Sequence, residues 1–119
     1  IDRTPRNPNL LTWHGQTWLI DHGAAFYRQH GAAPLAETAT SPTPVLRDHV
    51  LLPVAGPLAG AGERLTGRAR DAIRPAVELV PDEWLGEDPA ARREDFAAFL
   101  ERRLAGQDHF IAELEGDDD

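Results

Sequence analysis

The chain has 119 residues, of which 41% are apolar, enough for one small domain with a modest core. Its net charge of −8 opposes binding to nucleic-acid backbones, and the absence of Cys excludes disulfides and thiolate metal sites. The sequence shows no bilayer-length apolar run and no secretory signal pattern, so we expect a cytoplasmic protein without nucleic-acid or membrane partners.

Two features of the sequence indicate a piece of a longer polypeptide. The chain contains no Met, and it begins at Ile1, directly before the first Asp of a polar loop. We therefore expect the N-terminal part of the same polypeptide to lie outside these residues and to be one of the chain's partners.

The first twenty-three residues predict a loop followed by a β-hairpin. Residues 1–9 contain Pro5 and Pro8, each of which restricts the preceding residue to extended conformations. Two β-rich runs, 10–13 and 17–20, then flank the sequence His-Gly-Gln, which predicts antiparallel strands joined by a tight turn. The second strand is expected to end at Asp21-His22-Gly23.

The middle of the chain has weaker signals. Residues 24–30 predict a short helical turn or an irregular segment, and residues 31–44 are rich in Ala, Pro, Thr and Ser, which predicts a flexible loop. Residues 45–52 predict a short helix that ends before Pro53.

The C-terminal half predicts helices. An apolar stripe at helical spacing covers residues 63–79, in which Pro75 implies a kink or a break. A turn at 81–85 follows, and Trp84 is expected to anchor the core. Asp88 as N-cap and Pro89 at the first helical position predict the start of another helix, which Gly106 interrupts. The acidic residues after 112 predict a solvated tail.

These elements define a mainly α fold with a short N-terminal β-hairpin. Trp13 and Trp18 flank the predicted turn and are expected to stack on the hairpin or against the helices. The five His residues have no ligand-pair spacing, so we do not expect a zinc site.

Three polar residues suggest chemistry when they are taken together. Asp2 and Asn7 are five residues apart in the polar loop, and Asp21 follows fourteen residues later at the end of the hairpin. Phosphoryl transfer needs a carboxylate that orients the accepting hydroxyl and oxygen ligands that hold Mg²⁺ against the phosphates. Each residue alone is an ordinary turn former or solvated charge, whereas their order and spacing match the catalytic segment of kinases.

The stretch DRTPRNPNLLTWHGQTWLIDHGAAF resembles the catalytic segment of HipA-like kinases, particularly those of actinobacteria. Lipid kinases that act on phosphatidylinositol share a related pattern. The resemblance implies the C-terminal lobe of a protein-kinase-like fold in three parts: 1–30 with the catalytic loop, the hairpin and the metal-binding segment, 31–44 as a flexible loop, and 45–119 as a helical region with an acidic tail.

The resemblance also implies residue roles and cofactors. Asp2 would be the catalytic base or the group that orients the acceptor. Asn7 and Asp21 would bind Mg²⁺, and Asn7, Asp21 and Gly23 would contact the bound cofactor, ATP. Gly23 would also let the backbone turn tightly after the metal ligand. The acceptor would be a protein hydroxyl. His22 stands where ordinary protein kinases have Phe, so a packing switch of their kind is not implied.

Parts of a complete kinase are missing from these residues. The chain has no Lys to pair with nucleotide phosphates, and no strand precedes the glycines at 56–62. We therefore expect the fragment to be inactive alone and the full-length parent to be the enzyme. A catalytically silent nucleotide- or protein-binding pseudokinase module, and a phosphatidylinositol-kinase-like lipid kinase, are the alternatives.

Overall fold

The computed structural model describes residues 1–26 and 34–115, and these contain two strands and three α-helices. The strands are β1 (Leu10–Trp13) and β2 (Gln16–Leu19), and the helices are α1 (Leu58–Glu78), α2 (Pro89–Ala105) and α3 (Gln107–Glu115). The predicted mainly α fold with an N-terminal hairpin is therefore confirmed. No described helix is both long and apolar enough to cross a membrane.

The chain divides into two compact units. The hairpin unit comprises residues 1–30 and 42–56, and the helical unit comprises residues 31–41 and 57–119. Residues 27–33, which include the end of the predicted irregular segment and the start of the predicted flexible loop, lie outside the described residues, as does the tail at 116–119.

The hairpin forms because its turn has the residues that its backbone requires. His14 and Gly15 have φ angles of 49° and 74°, the left-handed pair of a two-residue hairpin turn, and Gly adopts this conformation without strain. Leu11 pairs with Trp18 across the strands, and the Ile20 amide donates to the Asn9 carbonyl at 3.0 Å. The predicted hairpin is confirmed, with β2 displaced by one residue toward the turn.

Helix α1 is longer than the sequence predicts. It begins at Leu58, after Pro57, and it continues past Pro75 to Glu78. The glycines near its start do not delay it, and a Cβ at Gly62 would lie 3.1 Å from side-chain atoms of Gln107 and Ile111. Glycine at this position therefore permits the close approach of α1 and α3, which a reading of helix propensity alone would miss.

The start of α2 confirms the predicted cap. The Asp88 carboxylate accepts from the Ala91 amide at 3.1 Å, and Pro89 occupies the first turn. Gly106 separates α2 from α3, as predicted. One cluster of the core of this unit consists of Ile73, Val77 and Ala97, with three partly buried side chains packed against it: Phe96, Leu100 and Leu104. The largest fully buried side chains of the unit are Phe99 and Leu35.

Residues 34–41 are packed on α2 although the sequence predicts a flexible loop there. Leu35–Thr38 forms a 3₁₀ turn, and Leu35, Ala36 and Ala39 are buried. The Asp95 carboxylate accepts from the Leu35 and Ala36 amides at 2.7 and 2.8 Å. Composition reflects only local preferences and therefore predicts a loop here. The contacts that order this segment come from α2, sixty residues along the chain.

Two further expectations are corrected. Trp84 is 77% exposed, so it is not the core anchor, and the buried side chain of that turn is its neighbour Leu85. Residues 45–52 do not form one helix but fall into two 3₁₀ turns, Pro44–Asp48 and Leu52–Val54, because Pro44 and Pro53 each begin a new turn. Trp13 and Trp18 lie on the two strands of the hairpin and are exposed, at 59% and 49%.

Candidate functional site

Asp2, the predicted base, is held by a neighbouring side chain of its own loop. The Nδ2 atom of Asn9 donates to the backbone oxygen of Asp2 at 2.5 Å and to its Oδ2 atom at 3.2 Å. The Oδ1 atom of Asp2 makes no hydrogen bond with any other described residue. One carboxylate oxygen is thus oriented by the loop, and the second remains available.

Asn9 adopts a conformation that few residues tolerate. Its φ angle is 52°, in the left-handed region, and the residue is only 6% exposed. Asn is several-fold enriched in this region among non-glycine residues. Its carbonyl also accepts from the Ile20 amide at the base of the hairpin. Asn9 therefore connects the loop that carries Asp2 to the end of the strand that precedes Asp21.

Arg3 connects the same two segments from the other side. Its Nη1 atom donates to the carbonyls of Asn9 and Ile20 at 2.5 and 3.1 Å, and its Nη2 atom lies 3.0 Å from Nδ1 of His22. The Arg3 carbonyl accepts from the Val50 amide at 2.7 Å. The Arg3 guanidinium therefore braces the loop against the hairpin.

Asp21 lies just past β2 at a strained backbone position. Its φ and ψ angles are 59° and 60°, and it precedes the 3₁₀ turn His22–Ala24. Its side chain is exposed and makes no hydrogen bond with another described residue. A left-handed conformation at a non-glycine residue is a feature that clusters at functional sites.

Gly23 lies in the 3₁₀ turn that directly follows Asp21. Its φ angle is not positive, and a Cβ there would meet no atom within 4 Å. The left-handed residue of this segment is Asp21 itself, so the turn does not depend on a left-handed glycine. The implied contact of Gly23 with a cofactor stays a prediction.

Asn7 closes a four-residue turn in the loop. Its amide donates to the Thr4 carbonyl at 3.0 Å, with Pro5 at the second position, where its fixed φ favours a turn. The Asn7 side chain is exposed, and its amide group makes no hydrogen bond with the rest of the described chain. Its carbonyl oxygen is therefore open to a ligand.

The available oxygens suit a Mg²⁺ ion that is shared with phosphates. Within residues 1–26 and 34–115, no group of three or more His, Cys, Asp or Glu side chains could hold a metal ion. Mg²⁺ in phosphoryl-transfer sites is held by one or two carboxylates together with phosphates and waters, without a complete protein cage. The carboxylate of Asp21 and the amide oxygen of Asn7 match that limited donor set.

His49 lies beside the loop. Burial lowers the pKa of its imidazole below the ordinary value, and the positive charge of Arg3 lowers it further. Its Nδ1 atom accepts from the Leu51 amide at 3.1 Å, so Nε2 carries the proton. No role for His49 follows from the sequence, because its proximity to Arg3 arises only from the folding of residues 42–56 onto the loop.

No family model matches the chain, and no curated protein or solved structure matches it.

Proposed function

We propose that this chain is the catalytic-loop and C-terminal helical part of an ATP-dependent phosphotransferase of the HipA-like type, with a protein Ser or Thr hydroxyl as acceptor. The observation that carries the proposal is the order of Asp2, Asn7 and Asp21 in a loop, hairpin and turn, with Arg3 and Asn9 joining the loop to the hairpin. This arrangement supplies the few protein groups that phosphoryl transfer requires.

Each residue has a defined task in the proposed reaction. Asp2 accepts the proton of the acceptor hydroxyl at Oδ1, while Asn9 holds the Oδ2 atom. As the acceptor oxygen bonds to the γ-phosphorus, the bond from that phosphorus to the departing ADP breaks. Asn7 and Asp21 would hold Mg²⁺, which neutralises charge on the transferring phosphoryl group when it is bound.

The chain does not supply every group that the reaction needs. It contains no Lys, and kinases use a Lys to pair with the nucleotide phosphates. The glycines at positions 60 and 62 lie within α1 and not in a loop after a strand, so they do not form a phosphate-covering loop. The proposed enzyme therefore obtains its nucleotide-grasping part from residues outside this sequence.

Two alternative functions, a silent binding module and a lipid kinase, are each disfavoured by a specific observation. A catalytically silent binding module is disfavoured because the acidic and amide side chains at positions 2, 7 and 21 are all present. A lipid kinase is disfavoured because the hairpin unit, which holds the candidate residues, has four Arg against three Asp and so lacks the basic excess that attracts an anionic membrane. The protein kinase is therefore the function that the residues support best.

The test is phosphate transfer from Mg²⁺-ATP by the full-length protein that contains this chain. Wild type is compared with Asp2→Asn and with Asp71→Asn, a matched change at an exposed carboxylate on α1. We expect transfer to a protein hydroxyl by wild type and Asp71→Asn, and a loss of about 10²–10⁴-fold in Asp2→Asn. ATP binding without transfer to proteins, lipids or water would favour the binding module instead.

A further inference from the structure

The catalytic loop forms one wall of a cleft that the proposed reaction does not use. The cleft has a volume of about 560 Å³ and is lined by residues 4–6 of the loop and by four residues of the 3₁₀ turns that follow: Arg47, Asp48, His49 and Pro53. Its volume is within the range of ligand sites. All of the lining belongs to the hairpin unit.

The polar groups of the cleft are mainly hydrogen-bond donors. Arg6 is exposed and makes no hydrogen bond or ion pair with another described residue. Arg47, which also has an interaction elsewhere in the structure, is a second guanidinium that lines the cleft. His49 adds a donor, because its Nδ1 atom accepts from the Leu51 amide and the proton is left on Nε2. Two guanidinium groups and an imidazole N–H suit the oxygens of an anion.

The charge of the whole chain does not describe this region. Residues 1–30 and 42–56 contain four Arg and three Asp, whereas the remaining residues contain eight Arg and seventeen Asp and Glu. The acidity of the chain is therefore concentrated in the helical unit, and the hairpin unit is close to neutral. Local donors there attract an anion without opposition from a large negative charge on the same unit.

The position of Arg6 connects the cleft to the proposed chemistry. Arg6 directly precedes Asn7 and lies four residues after Asp2 on the same loop. A ligand bound by Arg6 would therefore lie next to the loop that orients the accepting hydroxyl. We propose that this cleft binds Asp or Glu side chains that flank the accepting Ser or Thr of a protein substrate, an inference that rests on the proposed kinase function.

The lining favours a carboxylate-bearing peptide over a phosphorylated lipid headgroup. Asp48 also lines the cleft, and its negative charge opposes a multiply charged phosphate more than a single carboxylate. Pro5 and Pro53 provide rigid apolar surface that suits the backbone and the CH₂ groups of a peptide.

The test measures binding of labelled peptides to the 119-residue chain by fluorescence anisotropy. One peptide has a central Ser flanked by Glu, and a second has Gln at the same positions. We expect the Glu peptide to bind about tenfold more tightly at low ionic strength, and the difference to shrink as salt is added. The double change R6Q and R47Q should abolish the preference, whereas the matched pair R64Q and R70Q on exposed α1 positions should not.

A charge-reversal variant shows whether a loss of binding comes from the charge of Arg6 or from a general loss of structure. The variant R6E, a change at an exposed residue, should lower the affinity for the Glu peptide and raise the affinity for a peptide with Arg at those positions. Equal binding of the Glu and Gln peptides to wild type, or a preference that survives R6Q and R47Q, would overturn the inference. Binding to phosphatidylinositol phosphate vesicles but not to the Glu peptide would overturn it in favour of a lipid headgroup.

The outcome can be separated from that of the proposed function because the binding assay needs no ATP. Selective peptide binding by the chain, together with no phosphate transfer by the full-length protein, would contradict the kinase proposal but not the acidic-peptide site. Transfer at equal rates to the Glu and Gln peptides would contradict the cleft assignment and leave the kinase proposal intact.

Discussion

Asn9 shows, at the scale of single residues, how much of the loop depends on one side chain. It combines a left-handed backbone with hydrogen bonds to Asp2 and burial of nearly all of its surface. We predict that Asn9→Ala lowers the free energy of unfolding by about 2 kcal/mol, since it adds backbone strain and removes the bonds to Asp2. Chemical denaturation would measure the change.

Two control variants separate the causes at this position. Asn9→Gly removes the side-chain hydrogen bonds but tolerates the left-handed conformation, so about half of the loss is expected. Asn7→Ala changes an exposed Asn of the same loop and should remain within about 0.5 kcal/mol of wild type. Equal losses for the Ala and Gly variants at position 9 would rule out strain as a cause.

The sequence identifies the candidate residues of the site but not the contacts that hold them. The order of Asp2, Asn7 and Asp21 is visible because it is a matter of spacing along the chain. The bonds from Arg3 to Ile20 and His22 span seventeen and nineteen residues, so they exist only after the hairpin has paired. The hydrogen bonds of Asn9 cannot be predicted from the sequence for the same reason, although the enrichment of Asn in left-handed conformations is a signal for its backbone.

Pro75 offers a test at the scale of elements because α1 continues through it. Proline has no N–H, so the Asp71 carbonyl lacks its usual helical donor. We predict that Pro75→Ala raises the free energy of unfolding by about 1–2 kcal/mol, the gain in helix propensity less the added entropy of the unfolded chain. A thermal or chemical unfolding curve would measure the gain.

The matched control, Pro57→Ala, is expected to change the free energy of unfolding in the opposite direction. Pro57 lies just before α1 with a φ angle of −57°, which suits proline, and it displaces no helical hydrogen bond. Pro57→Ala should therefore lower the free energy of unfolding by about 0.4–1 kcal/mol. A destabilised Pro75→Ala variant would indicate that α1 does not continue through position 75 in solution.

Asp95 allows a second test at the scale of elements, because its carboxylate joins α2 to the 3₁₀ turn at 35–38. Asp95→Ala leaves two backbone amides without an acceptor, which should cost about 2–4 kcal/mol. The amides of Leu35 and Ala36 should then exchange their hydrogens faster. Asp71→Ala, at an exposed position of α1, should leave that exchange unchanged, and protected amides in Asp95→Ala would refute the contact.

Local signals explain which elements the sequence predicts correctly. The hairpin and the start of α2 follow from the turn residues His14 and Gly15 and from the cap at Asp88, all of which act within a few positions. The buried turn at 35–38 and the exposed Trp84 follow from distant packing, which composition does not encode. The early start of α1 also depends on its neighbour α3.

At the scale of the whole molecule, the proposed site and the acidity of the chain lie in different units. The candidate catalytic residues are all in the hairpin unit, where basic and acidic residues are nearly balanced, whereas the helical unit holds most of the Asp and Glu residues. An ATP molecule with its negative phosphates is thus less strongly repelled by the hairpin unit than the net charge of −8 suggests. Composition alone would not have revealed this separation.

The most direct test of the central claim is the Mg²⁺ dependence of phosphate transfer by the full-length protein, for wild type, Asp2→Asn and Asp21→Asn. If Asp21 is a metal ligand, Asp21→Asn should need a much higher Mg²⁺ concentration to reach its maximal rate. Asp2→Asn should instead lose about 10²–10⁴-fold in rate with an unchanged Mg²⁺ midpoint. Transfer that is insensitive to both changes would contradict the account.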